Sequence, residues 1–244
     1  MRSTTVTATA LLACALLITI LPACSQSQQE GTSRSTPTTS TASPDDHNFA
    51  RWEKQIAAYE KMDRDNPPAE GGVLFIGSST IRRWKTLAQD FPNHHVINRG
   101  FGGSQIVDST HFAERIIFPY KPRMIVLRAG GNDIHSGNSP ERVFAEYKAF
   151  VAAVRATLPK TRILYISVSP SPARWADCDA YQALNALIEK YSRRHSYLDY
   201  LETYDMVLGS DHQPRPELFV ADKLHFSEEG YRLLADRVRP LLPK

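Results

Sequence analysis

Hydroxyl, imidazole and carboxylate side chains occur in two short segments that together could carry out acyl transfer. Gly77-Ser78-Ser79-Thr80 follows an apolar run, and Asp222-Lys223-Leu224-His225 lies near the C-terminus. Acyl transfer needs a nucleophile, a base that takes its proton and a group that orients the base. Ser79 supplies the hydroxyl, His225 the base and Asp222 the orienting carboxylate. The three-residue spacing predicts that Asp222 and His225 share one turn before a final helix.

Segments between these two could supply hydrogen bonds to an oxyanion. Gly103 lies in a glycine-rich stretch after one apolar run, and Asn132 follows another. We expect the N–H of Gly103, the carboxamide of Asn132 and the N–H of Ser79 to be the donors. A preorganised donor of this kind contributes roughly 3–4 kcal/mol to transition-state stabilisation.

Each of these residues also has an ordinary structural explanation. Ser79 can cap a helix, Gly103 can form a tight turn, and Asn132 can satisfy backbone groups nearby. Asp222 can cap the turn before His225. Their joint occurrence at the ends of the predicted strands favours an esterase over these separate explanations.

The elements that must position these residues alternate between strand and helix patterns. Apolar runs predict strands at 73–76, 96–98, 124–127 and 163–168, with a weaker one at 197–201. Continuous apolar runs are typical of parallel strands buried on both faces. A first helical pattern starts at Phe49 and ends before Pro67, a second begins at Ser139-Pro140, and a last one follows Ser227. This alternation predicts a three-layer α/β/α sandwich with a mostly parallel five-stranded sheet, whose ligands bind at the carboxyl ends of the strands.

Four segments in this order resemble the sequence blocks of the SGNH subgroup of GDSL esterases and lipases. Residues 77–80 resemble the Gly-Asp-Ser-Leu block of the family, residues 130–133 its Gly-x-Asn-Asp block and residues 222–225 its Asp-x-x-His block. Gly103 corresponds to the glycine of the remaining block. The resemblance implies a flavodoxin-like sheet flanked by helices and an esterase with Ser79 as nucleophile.

The chain departs from the pattern of this family at three positions. Ser78 stands where the family usually has aspartate, Thr80 where it has leucine, and Ser104 where relatives often have aspartate. The aspartate replaced at position 78 is not a catalytic group, so we expect the chemistry to be retained. We assign the nucleophile to Ser79 rather than Ser78.

Other enzyme classes fit less well. An α/β-hydrolase elbow requires glycine where this chain has Ile81, and no His-Glu-x-x-His zinc motif occurs. We therefore expect neither a metal nor a cofactor. The alternative is a catalytically idle, surface-tethered module that binds glycan or lipid on the same fold. Without a long apolar lid segment, the enzyme is expected to take short acyl esters, such as acetyl groups on carbohydrate.

The N-terminal residues predict export. Residues 1–23 have an early Arg2, an apolar core and a small residue before a cleavage point, which is the pattern of a signal peptide. Leu21-Pro22-Ala23-Cys24 resembles a bacterial lipobox, so Cys24 is expected to carry lipid. Residues 24–48 are rich in Ser and Thr and predict a flexible tether, and residues 49–244 form the catalytic domain. We expect anchoring at the cell envelope, or otherwise a periplasmic or secreted protein.

Charge and the remaining residue types limit the possible partners. The formal net charge of +3 falls by one when Arg2 leaves with the signal, which is too small to indicate nucleic-acid binding. Contact with a membrane is expected only through the lipid anchor, and oligomeric state is not indicated. Cys178 is interpreted as structural. Arg99 and Arg128, near strand ends, are interpreted as structural ion-pair partners, and the segment 82–84 is expected to turn away from the pocket.

Overall fold

Five parallel strands form the centre of the part of the chain that the structure describes. The computed structural model describes residues 47–243, so the predicted signal 1–23, Cys24 and tether residues up to 46 lie outside it. The strands are β1 (Val73–Gly77), β2 (Val96–Gly100), β3 (Met124–Arg128), β4 (Arg162–Ile166) and β5 (Leu198–Leu201). They lie in the order β2-β1-β3-β4-β5, and every neighbouring pair is parallel.

Helices pack on both faces of this sheet, which confirms the predicted α/β fold. Their bounds are α1 Glu53–Asp65, α2 Ser79–Arg82, α3 Leu87–Asp90, α4 Ile106–His111, α5 Ala113–Ile116, α6 Gly131–His135, α7 Pro140–Thr157, α8 Cys178–Ser192 and α9 Glu228–Val238. Short 3-10 turns at Phe49–Trp52 and Pro172–Asp177 directly precede α1 and α8. Among residues 47–243, no helix has the length and apolar character needed to cross a membrane.

Successive residues of β1 belong to two separate apolar layers. Leu74 and Ile76 pack in the layer that contains α1, α7 and α8. Val73 and Phe75 pack in the other layer, which contains α9. All residues of β1 are buried. A strand covered on both faces needs apolar residues at every position, which explains the unbroken apolar run in the sequence.

The end of β4 and the helix α8 differ from the sequence-based expectation. The apolar run predicts a strand as far as Val168, but β4 ends at Ile166. The N–H of Val168 donates to Oδ1 of Asn185 at 3.0 Å, and Nδ2 of Asn185 donates back to the carbonyl of Val168 at 2.8 Å. Asn185 lies on α8, a helix that the sequence patterns did not identify. The Asn185 side chain therefore forms the hydrogen bonds with Val168 that a neighbouring strand would otherwise form.

Two helix starts follow the capping rules. The hydroxyl of Ser139 accepts a hydrogen bond from the N–H of Arg142 at 3.3 Å, and Pro140 occupies the first turn of α7. The hydroxyl of Ser227 likewise accepts from the N–H of Gly230 at 3.3 Å at the start of α9. Both caps satisfy backbone donors that a helix leaves unpaired.

Gly77 allows the chain to turn from β1 into α2. Its φ is +133°, and a Cβ atom there would lie 2.0 Å from the carbonyl oxygen of Arg128 on β3. That oxygen accepts the N–H of Ser78 at 3.1 Å, so it cannot move away without breaking the contact between the two strand ends. Only glycine fits this position.

We predict that Gly77→Ala lowers the free energy of unfolding by at least about 3 kcal/mol, because the added methyl meets backbone atoms and the φ is unfavourable. Gly137→Ala is the matched control. Its φ is +89°, but no atom lies within 4 Å of the added Cβ, so we expect a loss of only about 1 kcal/mol. Urea denaturation measures both values. Equal losses in the two variants would contradict the role assigned to the close approach of β1 and β3.

Candidate active site

Ser79 stands at the end of β1, where the first turn of α2 begins. Its Oγ lies 2.9 Å from Nε2 of His225, and the side chain is half-buried. Within residues 47–243, the Ser79 N–H has no hydrogen-bond acceptor. Because Ser79 is the first residue of a helix, its backbone N–H has no acceptor within that helix.

His225 and Asp222 lie together on the loop before α9, as the spacing indicated. Nδ1 of His225 lies 2.6 Å from Oδ2 of Asp222. Oδ1 of the same carboxylate accepts the backbone N–H groups of Leu224 at 3.0 Å and His225 at 2.9 Å. The carboxylate thus folds its own turn and orients the imidazole. With the Nδ1 proton directed to Asp222, Nε2 is left to accept the proton of Ser79.

These contacts decide the charge of Asp222. Partial burial opposes its ionisation, but the N–H of His225, the imidazole and the N–H of Leu224 outweigh that effect and lower the pKa of Asp222 to about 2. Asp222 is therefore a carboxylate throughout the neutral range. It can stabilise an imidazolium on His225.

Arg83 contacts this pair without lining the cavity that contains Ser79. Its Nη1 lies 3.5 Å from Oδ2 of Asp222, and both side chains are nearly half exposed. Trp84 is buried, and its Nε1–H donates to Asp90 at 2.6 Å. None of residues 82–84 lines that cavity, as expected, but the sequence did not indicate the contact of Arg83 with Asp222. It arises because α2 ends at Arg82, so the helix is too short to carry Arg83 to the opposite side.

Asn132 lies on the first turn of α6, at the end of β3. Its Nδ2 donates to the carbonyl oxygen of Ser104 at 2.8 Å, and its Oδ1 accepts from Nη1 of Arg174 at 2.9 Å. These two contacts distinguish the oxygen from the nitrogen of the amide. One N–H of Nδ2 remains available to a ligand.

Gly103 lies on the loop that Asn132 holds, rather than in the wall of the cavity at Ser79. Its φ is +79°, and a Cβ there would lie 3.1 Å from the ring of Trp52. Its N–H has no acceptor in the described part of the chain. The structure thus brings Ser79, Asn132 and His225 to one cavity and Gly103 to the adjoining loop.

Asp133 joins this loop to α6. The carboxylate is fully buried, with Oδ1 accepting the N–H of Ile106 at 2.9 Å and Oδ2 accepting the N–H of Gly130 at 3.1 Å. Burial raises the pKa of Asp133 to about 7 against the effect of these hydrogen bonds. Asp133 therefore acts as a structural link that keeps the segments carrying Gly103 and Asn132 together.

The cavity at Ser79 has a wall that the sequence reasoning missed. The loop after β4 contributes Ser169, Ser171 and Arg174, and the loop before α9 contributes Phe219 and Phe226. The sequence contains a signal for this wall, because the loops that follow parallel strands all begin at the same edge of the sheet. The serines after β4 could have been included on that rule alone.

Arg99 and Arg128 have different surroundings. Arg99 forms an ion pair with Asp63 and donates to the Tyr120 hydroxyl at 2.7 Å, which confirms its structural interpretation. The expectation for Arg128 was wrong, because no carboxylate of residues 47–243 lies within 4.0 Å of its guanidinium. Its partners are hydroxyl and carbonyl oxygens at the ends of β4 and β5, and it borders the cavity.

Cys178 is the first residue of α8 and is buried and free. Burial raises the pKa of its thiol, which disfavours the reactive thiolate. Its position supports a structural interpretation.

Comparisons with known proteins bear on the family and the fold of this chain. Residues 72–233 match the model of the GDSL-like Lipase/Acylhydrolase family. None of the curated proteins matches the chain.

Solved structures share the fold at low identity. A protein from Streptococcus pneumonia named for platelet activating factor has 19% identity and a TM-score of 0.71, over 80% of this chain and 94% of that one. A GDSL-like lipase from Bacteroides thetaiotaomicron has 23% identity and a TM-score of 0.62, over 80% of this chain and 96% of that one. A catalytic mutant of an acetylxylan esterase from Geobacillus stearothermophilus has 14% identity and a TM-score of 0.58, over 72% of this chain and 96% of that one.

We predict that Asp133→Asn lowers the free energy of unfolding by about 1–3 kcal/mol, because an amide nitrogen cannot accept and would face one of the two N–H groups. Asp65→Asn on α1 is the matched control, since Asp65 is exposed and, among the described residues, pairs only with Lys61. There we expect a change below about 0.5 kcal/mol. Thermal or urea unfolding measures both. A loss no larger in Asp133→Asn than in the control would contradict the structural role of Asp133.

Proposed function

Because the chain belongs to the GDSL-like Lipase/Acylhydrolase family, we propose that it is a serine esterase that hydrolyses carboxylic esters through an acyl-enzyme. The observation that carries the proposal is the continuous chain from Ser79 Oγ to His225 at 2.9 Å and from His225 to Asp222 at 2.6 Å. This is the order of contacts that a nucleophile, a base and an orienting acid require.

In the first half of the reaction, Ser79 Oγ attacks the ester carbonyl carbon while Nε2 of His225 takes the hydroxyl proton. The resulting tetrahedral intermediate carries its negative charge on the former carbonyl oxygen. When it collapses, the bond to the alcohol oxygen breaks, and His225 gives its proton to the departing alcohol. Asp222 stabilises the imidazolium that exists between these two proton transfers.

In the second half, water attacks the acyl-enzyme and gives a proton to His225. Collapse of the second tetrahedral intermediate breaks the bond to Ser79 and returns that proton to Oγ, releasing the carboxylic acid. We assign the oxyanion donors to the N–H of Ser79, the remaining N–H of Asn132 Nδ2 and the N–H of Gly103. The lack of other acceptors for the two backbone groups, within residues 47–243, supports this assignment.

The substrate class proposed is short acyl esters, including acetyl esters of carbohydrates. The cavity at Ser79 is lined both by apolar side chains, among them Phe219 and Phe226, and by polar side chains, among them Ser169 and Ser171. A small acyl group and a hydroxyl-rich alcohol suit this mixed lining. One similar structure is an acetylxylan esterase, which is consistent with this class.

The location proposed rests on the sequence of the first 48 residues. Cys24 would carry lipid and become the N-terminus of the mature protein after removal of the signal 1–23, and residues 24–48 would tether the catalytic domain 49–244. A bacterial lipoprotein of this design would act at the cell envelope on esters supplied from outside. No nucleic acid or cofactor takes part in this proposal.

The proposal predicts different results for the two neighbouring serines. We expect Ser79→Ala and His225→Ala to lose activity on p-nitrophenyl acetate by up to about a million-fold in kcat, as in other triad enzymes. Ser78→Ala should stay within about tenfold of the wild type, because its hydroxyl contacts no catalytic group. Wild-type activity should fall from acetyl to butyryl to octanoyl esters.

Loss of activity in Ser78→Ala with retention in Ser79→Ala would contradict the assigned nucleophile. Tight glycan or lipid binding by a wild-type protein that hydrolyses no ester would instead favour the idle binding module. A chain-length series that peaks at octanoyl would contradict the short acyl class but not the esterase.

The oxyanion assignment predicts a loss of kcat rather than of substrate binding. Asn132→Ala should lower kcat by about 10²–10³-fold with little change in KM, because its N–H acts on charge that develops in the transition state. Asn138→Ala is the control, since the Asn138 side chain makes no hydrogen bond in the described part of the chain. Steady-state kinetics on p-nitrophenyl acetate measures both. A change in KM alone in Asn132→Ala would count against the assignment.

A further inference from the structure

Arg128 brings a guanidinium with unused donors to the cavity beside Ser79. Its Nη1 donates to the carbonyl of Ser167 at 2.6 Å and to the hydroxyl of Thr203 at 3.2 Å, and its Nη2 donates to the hydroxyl of Ser169 at 2.7 Å. A guanidinium has five N–H groups. Two of them, including the Nε–H, therefore have no acceptor among the residues that the structure describes.

The positive charge of Arg128 is also unbalanced in its surroundings. The residue is only 7% exposed, and no carboxylate of the described chain lies within 4.0 Å of it. The ring of Phe226 lies on one side, 5.4 Å from the guanidinium carbon. The Ser167 hydroxyl donates to Glu202 at 3.2 Å and so connects this carboxylate to the cluster indirectly. A buried charge is normally paired, because burial of a charge without a partner is unfavourable.

Burial lowers the pKa of Arg128 to about 10, so the guanidinium stays protonated at neutral pH. A cation with no carboxylate partner among residues 47–243 therefore lines the cavity at Ser79. Arg99, at the equivalent end of β2, shows the contrast, because it is paired with Asp63.

Ser171 supplies a second, independent sign of a missing ligand. It is 4% exposed, borders the same cavity, and its Oγ is buried with no hydrogen-bond partner within residues 47–243. Buried hydroxyls are nearly always hydrogen-bonded, and an exception indicates an unseen partner. The hydroxyl can donate to an anion held by Arg128.

Arg174 adds further donors on the same wall. Its Nη1 donates to Asn132 Oδ1 at 2.9 Å and to the Gly131 carbonyl at 3.4 Å, and its side chain also hydrogen-bonds with Tyr181. Within the described chain, no carboxylate lies within 4.0 Å of Arg174. At least two of its five N–H groups therefore remain for a ligand in the cavity that it lines.

We propose that the cavity beside Ser79 binds a carboxylate carried by the ester substrate, held by Arg128 with Arg174 and the Ser171 hydroxyl. Arginine matches a carboxylate with two parallel N–H groups, and such charge-assisted bonds are about twice as strong as neutral ones. One carboxylate neutralises the charge of Arg128. This assignment rests on the proposed esterase function and makes anionic esters its preferred substrates.

The carboxylate can come from either side of the ester, so the test has two arms. In the acyl arm, ethyl hydrogen succinate is compared with the neutral ethyl succinamate. In the alcohol arm, acetoxyacetate is compared with the neutral acetoxyacetamide. Each pair differs in charge at one group, and each kcat/KM, measured by pH-stat titration at pH 7.5, is divided by the hydroxide-catalysed rate of the same ester.

For the wild type, we expect the carboxylate ester to exceed its amide partner by about tenfold or more in one arm, the effect of one charge-assisted hydrogen bond. Arg128→Gln should reduce that ratio to near one, and Ser171→Ala should reduce it by about threefold. Arg193→Gln is the control for a lost surface charge, since Arg193 is exposed directly after α8, and it should keep the wild-type ratio. Circular dichroism checks that each variant is folded.

A wild-type ratio at or below one in both arms, with the neutral esters still hydrolysed, would overturn the carboxylate site and leave the esterase intact. So would an unchanged ratio in folded Arg128→Gln. If Arg128→Gln does not fold, Ser171→Ala decides in the same way: a ratio equal to that of the wild type overturns the site. Failure to hydrolyse any of the four esters or p-nitrophenyl acetate would overturn the proposed function itself and this inference with it.

Discussion

The parallel pairing of Gly77 with Gly100 on one side and Arg128 on the other is the constraint on which the rest of the site depends. It brings the carboxyl ends of β1, β2 and β3 to the same level of the sheet. The loops that follow these strands carry Ser79, Gly103 and Asn132. The N–H of Ser78 donates to the Arg128 carbonyl at 3.1 Å, so the first turn after β1 is held directly by β3. A shift of one residue in this register would separate the nucleophile from the donors proposed for the oxyanion.

The base reaches this edge on a loop that is stabilised separately. Phe219 and Phe226 form an antiparallel bridge, and their rings lie 5.6 Å apart between centroids. The N–H of Val220 donates to the carbonyl of His225 at 2.8 Å, so the loop closes on itself across Asp222. The same two residues line the cavity. One small apolar contact therefore both positions the imidazole and shapes the space beside the nucleophile.

Most of the fold, and the site residues Ser79, Asn132 and His225, could be predicted from local sequence. The strands are short apolar runs buried on both faces, and Ser79, Asn132 and His225 come where those runs or the last helix end. The missed features depend on contacts between distant segments. Arg83 approaches Asp222 only because α2 is a single turn, and the lack of an ion pair at Arg128 follows from what surrounds it across β4 and β5. A sequence pattern identifies a charged residue near a strand end but not whether a counter-ion lies opposite it.

The central claim is that Ser79 is made nucleophilic by His225. It is tested most directly by labelling the wild-type protein with an active-serine fluorophosphonate probe and locating the adduct by mass spectrometry of its peptides. We predict one adduct per chain, on Ser79, and none in His225→Ala. An adduct on Ser78, or labelling that is unchanged without the imidazole, would contradict the account.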